Sequence, residues 1–302
     1  MEEEIVRLLE EQGPLTGAEL RAALGNDGFG QWKACMRSPK LEIRRVGRRY
    51  LRLDQKVEGY ARLSPSILRE FLTYSVVGLS DAPAALEARA GTLAARIGEI
   101  TAAKFRLAQR IMSDIGGRLL GEDESAEDRF CVLLAGDVVY EMAHDAPRPE
   151  RSTSRMVRGS DLDLVVIMDD QAPEELFKRL DDAIYEQKHR HLINPSIREE
   201  IDYVIKPFER LQEQAGFDTF KHMVSCKIVD EAVLLYGSER LFQAAKDLLV
   251  ERHIIKELEA MQRAATGLRD EAERQLLTRD EDSLSGGDLY LFYTSEESEE
   301  FE

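Results

Sequence analysis

Three aspartates lie at the starts of two predicted strands. Asp161 and Asp163 lead into the apolar run Leu164–Met168, and Asp202 opens a later strand. Residues i and i+2 of a strand leave the same face about 7 Å apart, so the first two carboxylates repel each other beside a hydrophobic core. A divalent cation removes that repulsion, and Asp202 can complete its ligand set. Because hard oxygen ligands suit Mg²⁺, the spacing predicts a magnesium site of the kind that clamps the oxygens of a phosphoryl transfer.

Three strands are expected to position these side chains. Residues 130–135 form a compact apolar strand that ends at Gly136-Asp137, and residues 159–168 form the strand that carries the aspartate pair. A helix follows, and residues 199–205 form the third strand. Neighbouring strands of one sheet would bring all three aspartates to a single edge.

This order of elements resembles the core of the DNA polymerase β-type nucleotidyltransferase superfamily, over about residues 125–240. In that family the core consists of a strand ending in Gly-Ser, a short helix, a strand with Asp-x-Asp and a later strand with a third Asp. The matching segments here are Ser160-Asp161-Leu162-Asp163-Leu164 and Ile201-Asp202-Tyr203-Val204, followed by Glu231–Gly237. The resemblance implies an enzyme that moves a nucleoside monophosphate from a nucleoside triphosphate to an acceptor.

The resemblance also implies roles for the three aspartates. Asp161 and Asp163 would hold two ions, Mg²⁺ or Mn²⁺, and Asp202 would bind the second ion and accept the proton of the acceptor's hydroxyl or orient that hydroxyl. The triphosphate, with ATP as the first choice, would lose pyrophosphate. RNA, a protein hydroxyl, another nucleotide and a small molecule all remain open as acceptors.

One departure from the family concerns the end of the first strand, where the family has Gly-Ser and this chain has Gly136-Asp137. An aspartate that faces a triphosphate repels it, and the Gly-Ser pair of this chain, Gly159-Ser160, lies directly before Asp161 instead. Two interpretations stay open: either Gly136 supplies a backbone donor while loop arginines neutralise the phosphates, or nucleotide binding has been lost. The loop arginines are Arg151, Arg155 and Arg158.

Two further groups of cations flank the third strand. The run Lys188 to His191 precedes it and is interpreted as a solvated helix end, with cations near the helix C-terminus. Lys206 follows Asp202 by four residues and is interpreted as a surface lysine.

Residues 1–56 predict a separate small domain. Three short helices, the second opened by a capping box from Thr16 and Glu19, precede two alternating segments, 41–46 and 48–53, that predict a hairpin. Three helices and a hairpin resemble a winged helix-turn-helix domain. The basic residues that would contact nucleic-acid phosphates are Lys33, Arg37, Arg44, Arg45, Arg48 and Arg49. Winged helices also dock proteins, and this alternative stays open.

Helices are predicted on both sides of the central strands. Residues 57–120 form a helical connector, with one helix from Ser64-Pro65 to about Val77. Residues 83–119 form either one long helix or two helices with a kink near Gly91 or Gly98. Residues 238–279 form a helical cap, predicted as one long helix that Ser238 opens as its N-cap.

Charge and composition limit the class of protein. The 302 residues carry a net charge of −17, which argues against general, non-specific nucleic-acid binding. Residues 280–302 form an acidic tail around the apolar segment Leu289–Thr294, which is either solvated or docked, on a partner protein or on the basic wing of the same chain. An acidic start, three distant cysteines and the lack of a long apolar run predict a soluble, cytoplasmic protein without membrane contact.

Together these patterns predict an α+β protein. Its parts are a winged helix at 1–56, a helical connector at 57–120, a small mixed-sheet nucleotidyltransferase core at 121–237, a helical cap at 238–279 and an acidic tail at 280–302. The predicted function is Mg²⁺-dependent nucleotidyl transfer. The alternative is a catalytically silent nucleotidyltransferase fold that serves as a regulator or docking subunit and acts through its winged helix.

Overall fold

The computed structural model describes residues 1–25, 27–119, 128–150 and 155–279, and also Leu284, Leu289, Tyr290 and Phe292. These residues form helices and several small sheets, which confirms the α+β class. They divide into two compact units: Met1–Arg96 with the described residues from Ala260 onward, and Ile97–Glu259. No helix in this described part of the chain is both long and apolar enough to cross a bilayer.

The first unit combines short helices with two small sheets. Its helices are α1 (Glu2–Gln12), α2 (Gly17–Leu24), α3 (Gly28–Arg37) and α4 (Ile67–Thr73), with parts of α5 (Pro83–Leu119) and α10 (Ile254–Thr278). Its strands are β1 (Leu15–Thr16), β2 (Leu41–Arg45), β3 (Tyr50–Leu53), β4 (Ala61–Ser64) and β5 (Ser75–Leu79). The predicted capping box is confirmed, since Thr16 Oγ1 accepts the Glu19 N–H at 3.2 Å and the Glu19 carboxylate accepts the Thr16 N–H at 2.7 Å.

The predicted hairpin between 41–46 and 48–53 is wrong. β2 pairs with β5, and β1 pairs with the other side of β5, so this antiparallel sheet has the order β1-β5-β2, while β3 pairs with β4. The helix predicted to reach Val77 also ends early, because α4 stops at Thr73. Val76 and Val77 are β-branched and fully buried, so they favour the central strand of the sheet, which gives β2 a partner more distant in sequence.

Phe292 is part of the core of the first unit. Its side chain is fully buried, and its ring centroid lies 5.3 Å from that of Trp32 and 5.0 Å from that of Phe29, both on α3. Tyr290 donates its hydroxyl to Asp54 at 2.7 Å. Phe292 is therefore docked within the first unit, on α3 and not on the predicted basic wing.

The second unit is built on a four-stranded mixed sheet. The strands of this unit are β6 (Phe130–Ala135), β7 (Pro147–Pro149), β8 (Met156–Arg158), β9 (Leu162–Met168), β10 (Ile201–Pro207) and β11 (Val233–Gly237). Its helices are a 3-10 turn at Gly136–Val138, α6 (Glu174–Ile193), α7 (Phe208–Gln214), α8 (Phe220–Glu231), α9 (Glu239–Glu251) and parts of α5 and α10. The sheet order is β10-β9-β6-β11, with β9 and β10 parallel, and β7 and β8 form a separate ribbon. The predicted strands at 130–135, 159–168 and 199–205 are confirmed, the last two beginning at Leu162 and Ile201.

Alternation along β9 separates the two faces of this sheet. Leu162, Leu164 and Val166 belong to the hydrophobic core that also contains residues of α5 and α6. Asp163 lies between the first two in sequence and therefore points to the opposite face. The face with Leu162, Leu164 and Val166 thus packs in this core, and the Asp163 carboxylate lies on the opposite face.

The two long helical predictions had different outcomes. Of the two alternatives for residues 83–119, the single long helix is the one observed, over Pro83–Leu119. The cap is two helices rather than one, because the chain turns at Arg252 and at His253, whose φ is +60°. Ser238 is the N-cap as predicted, since its hydroxyl accepts the Leu241 N–H at 3.4 Å.

Candidate active site

Two segments of the form acid-x-acid lie side by side at the N-terminal ends of β9 and β10. Asp163 and Asp202 are directly opposite each other in the parallel register. Asp161 and Glu200 each come two residues earlier, and the Leu162 N–H donates to the Glu200 carbonyl at 3.0 Å. The structure therefore brings the three predicted aspartates to one end of the sheet and adds Glu200. The signal for Glu200 was present in the sequence, because Glu200-Ile201-Asp202 repeats the spacing of Asp161-Leu162-Asp163.

Arg148 and Lys188 neutralise this group of carboxylates. The Arg148 guanidinium lies 3.3 Å from Asp161 Oδ2 and 2.7 Å from Glu200 Oε2, and its Nε donates to the Gly159 carbonyl at 2.7 Å. Lys188 Nζ lies 2.8 Å from Asp202 Oδ1. The interpretation of Lys188 as part of a solvated helix end is therefore wrong, because α6 carries this ammonium to the start of the neighbouring strand.

Glu200 is the most buried of the four carboxylates, with 4% of its surface exposed. Burial raises the pKa of Glu200 to about 7, and the negative charges of Asp161 and Asp202 add to the rise, against the opposing effect of Arg148. Its Oε2 makes no hydrogen bond, although Arg148 lies within ion-pair distance. A buried carboxylate in this position requires a positive neighbour.

Lys104 of α5 joins the two segments from within the protein. Its ammonium donates to the carbonyls of Arg158 at 3.0 Å and Ser160 at 2.6 Å, and forms a buried ion pair with Glu199. A lysine ammonium has three donors, so all of them are used. The residues just before Asp161 and just before Glu200 are thereby tied to one side chain. This role could not be predicted from the sequence, because Lys104 is one of many charged residues of α5 and lies far from the strands along the chain.

The end of β6 differs from what the resemblance implies. Gly136 has a φ of +72°, and a Cβ placed on it would lie 2.0 Å from Asp163 Oδ2, so the backbone passes close to the carboxylates. The Gly136 N–H donates to Glu231 Oε1 at 3.1 Å. The Ser160 hydroxyl donates to Asp137 Oδ2 at 2.7 Å. In this arrangement a carboxylate holds the backbone donor that a phosphate would need, and Asp137 is turned toward Ser160.

Two of the three predicted loop arginines lie among the described residues. Arg151 falls outside the described residues, and Arg155 and Arg158 have exposed side chains. Gly159 lies in the left-handed region at φ +64° and offers its carbonyl to Arg148. Arg148, which the sequence prediction left out, reaches the carboxylates of Asp161 and Glu200.

The carboxylate oxygens of this group are of the kind that hard divalent cations such as Mg²⁺ or Mn²⁺ prefer. In the part of the chain that the structure describes, however, no three side chains of metal-binding type lie close enough together to hold a metal ion. Arg148 and Lys188 already neutralise Asp161, Glu200 and Asp202.

Most of the basic residues predicted to contact nucleic acid are engaged within the first unit. Lys33 is buried and donates to the Arg279 carbonyl at 2.7 Å, and Arg44 pairs with Glu42 and Glu87, both at 3.1 Å.

Glu70 and Glu273 form ion pairs with Arg45 and Arg49, two further residues of the predicted basic set. Arg49 lies 2.7 Å from Glu70 and 2.6 Å from Glu273, and Arg45 lies 3.3 Å and 3.5 Å from the same two carboxylates. Arg37 and Arg48 have exposed side chains. Arg44, Arg45 and Arg49 are thus neutralised by acidic partners, one of which, Glu273, lies in α10.

Comparisons of this chain with protein-family models, with curated proteins and with solved structures found no match. The case for a function consequently depends on the carboxylates and their partners.

Proposed function

We propose that this protein is a nucleotidyltransferase whose reaction centre lies at the N-terminal ends of β9 and β10. The observation that carries the proposal is the direct pairing of Asp163 with Asp202 in the parallel register, with Asp161 and Glu200 each two residues earlier. Carboxylates concentrated in this way serve no purpose in the hydrophobic core. They suit a reaction in which carboxylate oxygens hold divalent cations and the cations neutralise the phosphate oxygens.

The proposed reaction transfers a nucleoside monophosphate. An acceptor hydroxyl attacks the α-phosphorus of a nucleoside triphosphate, the new oxygen–phosphorus bond forms, and pyrophosphate leaves with the bridging oxygen. Asp202 is proposed to take the proton of the acceptor hydroxyl. Asp161 and Asp163, with Asp202, would hold Mg²⁺ or Mn²⁺, and such ions neutralise charge on the attacking and leaving oxygens.

Lys104 and Gly136 support the positions of the carboxylates in this proposed reaction centre. Lys104 fixes the segment before Asp161 relative to the segment before Glu200. Gly136 lets the backbone approach Asp163 closely, where a side chain would collide. The identity of the acceptor does not follow from these contacts.

The test is release of pyrophosphate from each of the four nucleoside triphosphates with Mg²⁺ or Mn²⁺. The wild type is expected to release pyrophosphate or to label an acceptor, and the Asp161→Ala/Asp163→Ala double variant is expected to lose this activity while it keeps its fold. Asp114→Asn, which changes an exposed aspartate of α5, is the matched control and should behave as wild type. Pyrophosphate release by the double variant at the wild-type rate would contradict the proposal.

A second candidate is a catalytically silent fold that regulates or docks a partner. It is favoured by one specific observation, that Glu231 already holds the Gly136 N–H while Arg148 and Lys188 hold three of the carboxylates. The ion pairs of Arg45 and Arg49 favour protein docking over nucleic-acid binding by the first unit. Thermal unfolding separates the candidates: the enzyme should be stabilised by a nucleoside triphosphate with Mg²⁺, and a silent fold should show no shift.

A further inference from the structure

We propose that the first unit is a docking module for a partner protein that carries the pattern Tyr-x-Phe in an acidic segment. Tyr290 and Phe292 of this chain have the same pattern and occupy the docking site in the structure. The tail is thus a competitor of the partner that is built into the chain. This inference concerns the first unit alone and does not depend on the proposed transfer reaction.

An aromatic pocket, formed by Phe29 and Trp32 of α3, receives the second residue of the pattern. The Phe292 ring is fully buried and meets the rings of Phe29 and Trp32 edge-on, at interplanar angles of 86° and 61°. Edge-to-face contacts stabilise an aromatic pair beyond the burial of its surface. The pocket therefore selects an aromatic side chain at this position of the ligand.

Asp54 recognises the first residue of the pattern through its hydroxyl group. Asp54 Oδ2 accepts the Tyr290 hydroxyl at 2.7 Å and the Arg62 Nε–H at 2.8 Å. Asp54 Oδ1 accepts the Lys56 N–H at 3.0 Å. Because Arg62 is only 2% exposed, the carboxylate is held in place from inside the unit. A charged acceptor fixed in this way favours tyrosine over phenylalanine, since phenylalanine brings no donor.

The backbone of the docked segment makes contacts that any peptide could make. The Leu68 N–H donates to the Phe292 carbonyl at 2.8 Å, and the Phe292 N–H donates to the Leu289 carbonyl at 2.9 Å. Both bonds need a turn of the ligand and no particular side chain. The described residues of the segment belong to no helix or strand, so an equivalent segment of another protein can take their place without disrupting either sheet.

Charge complementarity favours an acidic ligand at this site. Lys56 is exposed, and its ammonium lies 5.8 Å from the centre of the Tyr290 ring. Lys33 Nζ lies 5.4 Å from the centre of the Phe29 ring. Residues 280–302 carry nine acidic side chains and no basic one. A partner segment with acidic residues around its two aromatic ones is attracted to the same place.

The experiment uses the full-length Phe292→Ala variant and a synthetic peptide of residues 286–298. In this variant the segment of the chain itself lacks the ring, and Trp32, the only tryptophan of the chain, reports on the filling of the pocket. The peptide, which contains no tryptophan, is expected to shift the Trp32 emission to shorter wavelength in a saturable titration.

Wild type tests the competition by the tail. Fluorescence anisotropy of a dye-labelled peptide should show binding at least roughly tenfold weaker to wild type than to Phe292→Ala, because the attached tail is present at an effective concentration on the order of 1 mM. Equal affinity of the two proteins would contradict the role of the tail as a competitor.

Two variants of the peptide are the matched controls. The peptide with Phe292→Ala should leave the Trp32 emission unchanged, because it brings no ring to the pocket. The peptide with Tyr290→Phe should bind roughly tenfold more weakly than the original, because Asp54 loses a hydrogen-bond donor. Equal binding of the original peptide and the peptide with Phe292→Ala would reduce the effect to charge attraction and overturn the docking site.

The remaining outcomes also decide the proposal. No response of Trp32 to millimolar peptide would overturn it, and so would a wild-type dimer that Phe292→Ala abolishes, since the occupant would then be a second copy of this chain. Circular dichroism checks that Phe292→Ala is folded. Should that variant fail to fold, the labelled peptide is titrated into wild type. Saturable binding that is lost on Phe292→Ala in the peptide supports the docking site, and no binding at millimolar peptide overturns it. Pyrophosphate release enters none of these readouts, so failure here leaves the proposed function in place.

Discussion

Asp163 stands directly opposite Asp202 across the parallel pair of β9 and β10. Parallel strands begin at the same edge of a sheet, so acidic residues near the starts of both strands must meet. The cost of this arrangement is mutual repulsion, which Arg148 and Lys188 relieve. The proposed nucleotidyl transfer gives this group of charges a role.

Gly136→Ala is expected to lower the free energy of unfolding by about 1–3 kcal/mol, because residue 136 has a positive φ and the added Cβ would meet Asp163 Oδ2. Urea unfolding measures the change. Gly98→Ala is the matched control, since Gly98 lies inside α5 with nothing within 4 Å of an added Cβ. That substitution should stabilise the helix by about 0.5–1 kcal/mol. Equal stability of Gly136→Ala and wild type would show that the close approach is not present.

Lys104→Met is expected to destabilise the protein by about 3 kcal/mol or more, because it leaves Glu199 buried without its partner and removes two hydrogen bonds to backbone carbonyls. The double variant Lys104→Met/Glu199→Gln removes the unpaired charge and should recover part of the loss. Chemical unfolding of both variants measures this. A double variant that is less stable than the single one would contradict the assignment of Lys104 and Glu199 as a coupled pair.

The lowered pKa of the buried Lys206 predicts that the free energy of unfolding depends on pH. Burial lowers the pKa of Lys206 to about 8, and its ammonium donates to the neutral side chains of Gln214 and Ser225. Between pH 8 and 10.5 the unfolded chain keeps the proton and the folded chain loses it, so the contribution of Lys206 to stability rises with pH. Below pH 8 both states are protonated and the full cost of burying the charge remains.

The comparison of wild type with Lys206→Met isolates this effect from other titrating groups. At pH 7 Lys206→Met should have a higher free energy of unfolding than wild type. This difference should shrink by roughly 3 kcal/mol at most by pH 10. Unfolding free energies at pH 7, 8.5 and 10 measure it. A difference between the two proteins that stays constant over this range would rule out a depressed pKa for Lys206.

Phe292→Ala is expected to change the fluorescence of Trp32, which is the only tryptophan of the chain. Trp32 is 3% exposed and packs against Phe292, so removal of the ring should shift its emission to longer wavelength and cost about 3 kcal/mol of stability. Tyr185→Ala removes an aromatic ring that is 61% exposed and should change neither property. Unchanged Trp32 emission in Phe292→Ala would mean that the tail does not dock on α3.

Much of the fold could be predicted from local patterns. The strand 130–135 is a short apolar run, the capping box of Thr16 and Glu19 fixes the start of α2, and α5 has unbroken helical spacing. Pairing between strands could not be predicted in the same way. The hairpin at 41–53 was expected because its two segments are adjacent in sequence, whereas burial of Val76 and Val77 selects β5 as the partner of β2.

The candidate site was predictable only as far as its carboxylates. Asp161, Asp163 and Asp202 stand out because charged residues interrupt apolar strands. The cations near them, Arg148, Lys188 and Lys104, come from the short strand β7 and from two helices, and no sequence spacing links these residues to β9 or β10. Tertiary packing also decided the outcome for Lys206, which was expected on the surface and is 4% exposed.

The most direct test of the central claim is an anomalous X-ray diffraction measurement on crystals grown with Mn²⁺ and a non-hydrolysable nucleoside triphosphate. The proposal predicts an anomalous peak within ligand distance of the Asp161, Asp163 and Asp202 carboxylates, with the triphosphate beside it. Crystals that contain the nucleotide elsewhere, or that show no peak while Arg148 and Lys188 keep their ion pairs, would contradict it.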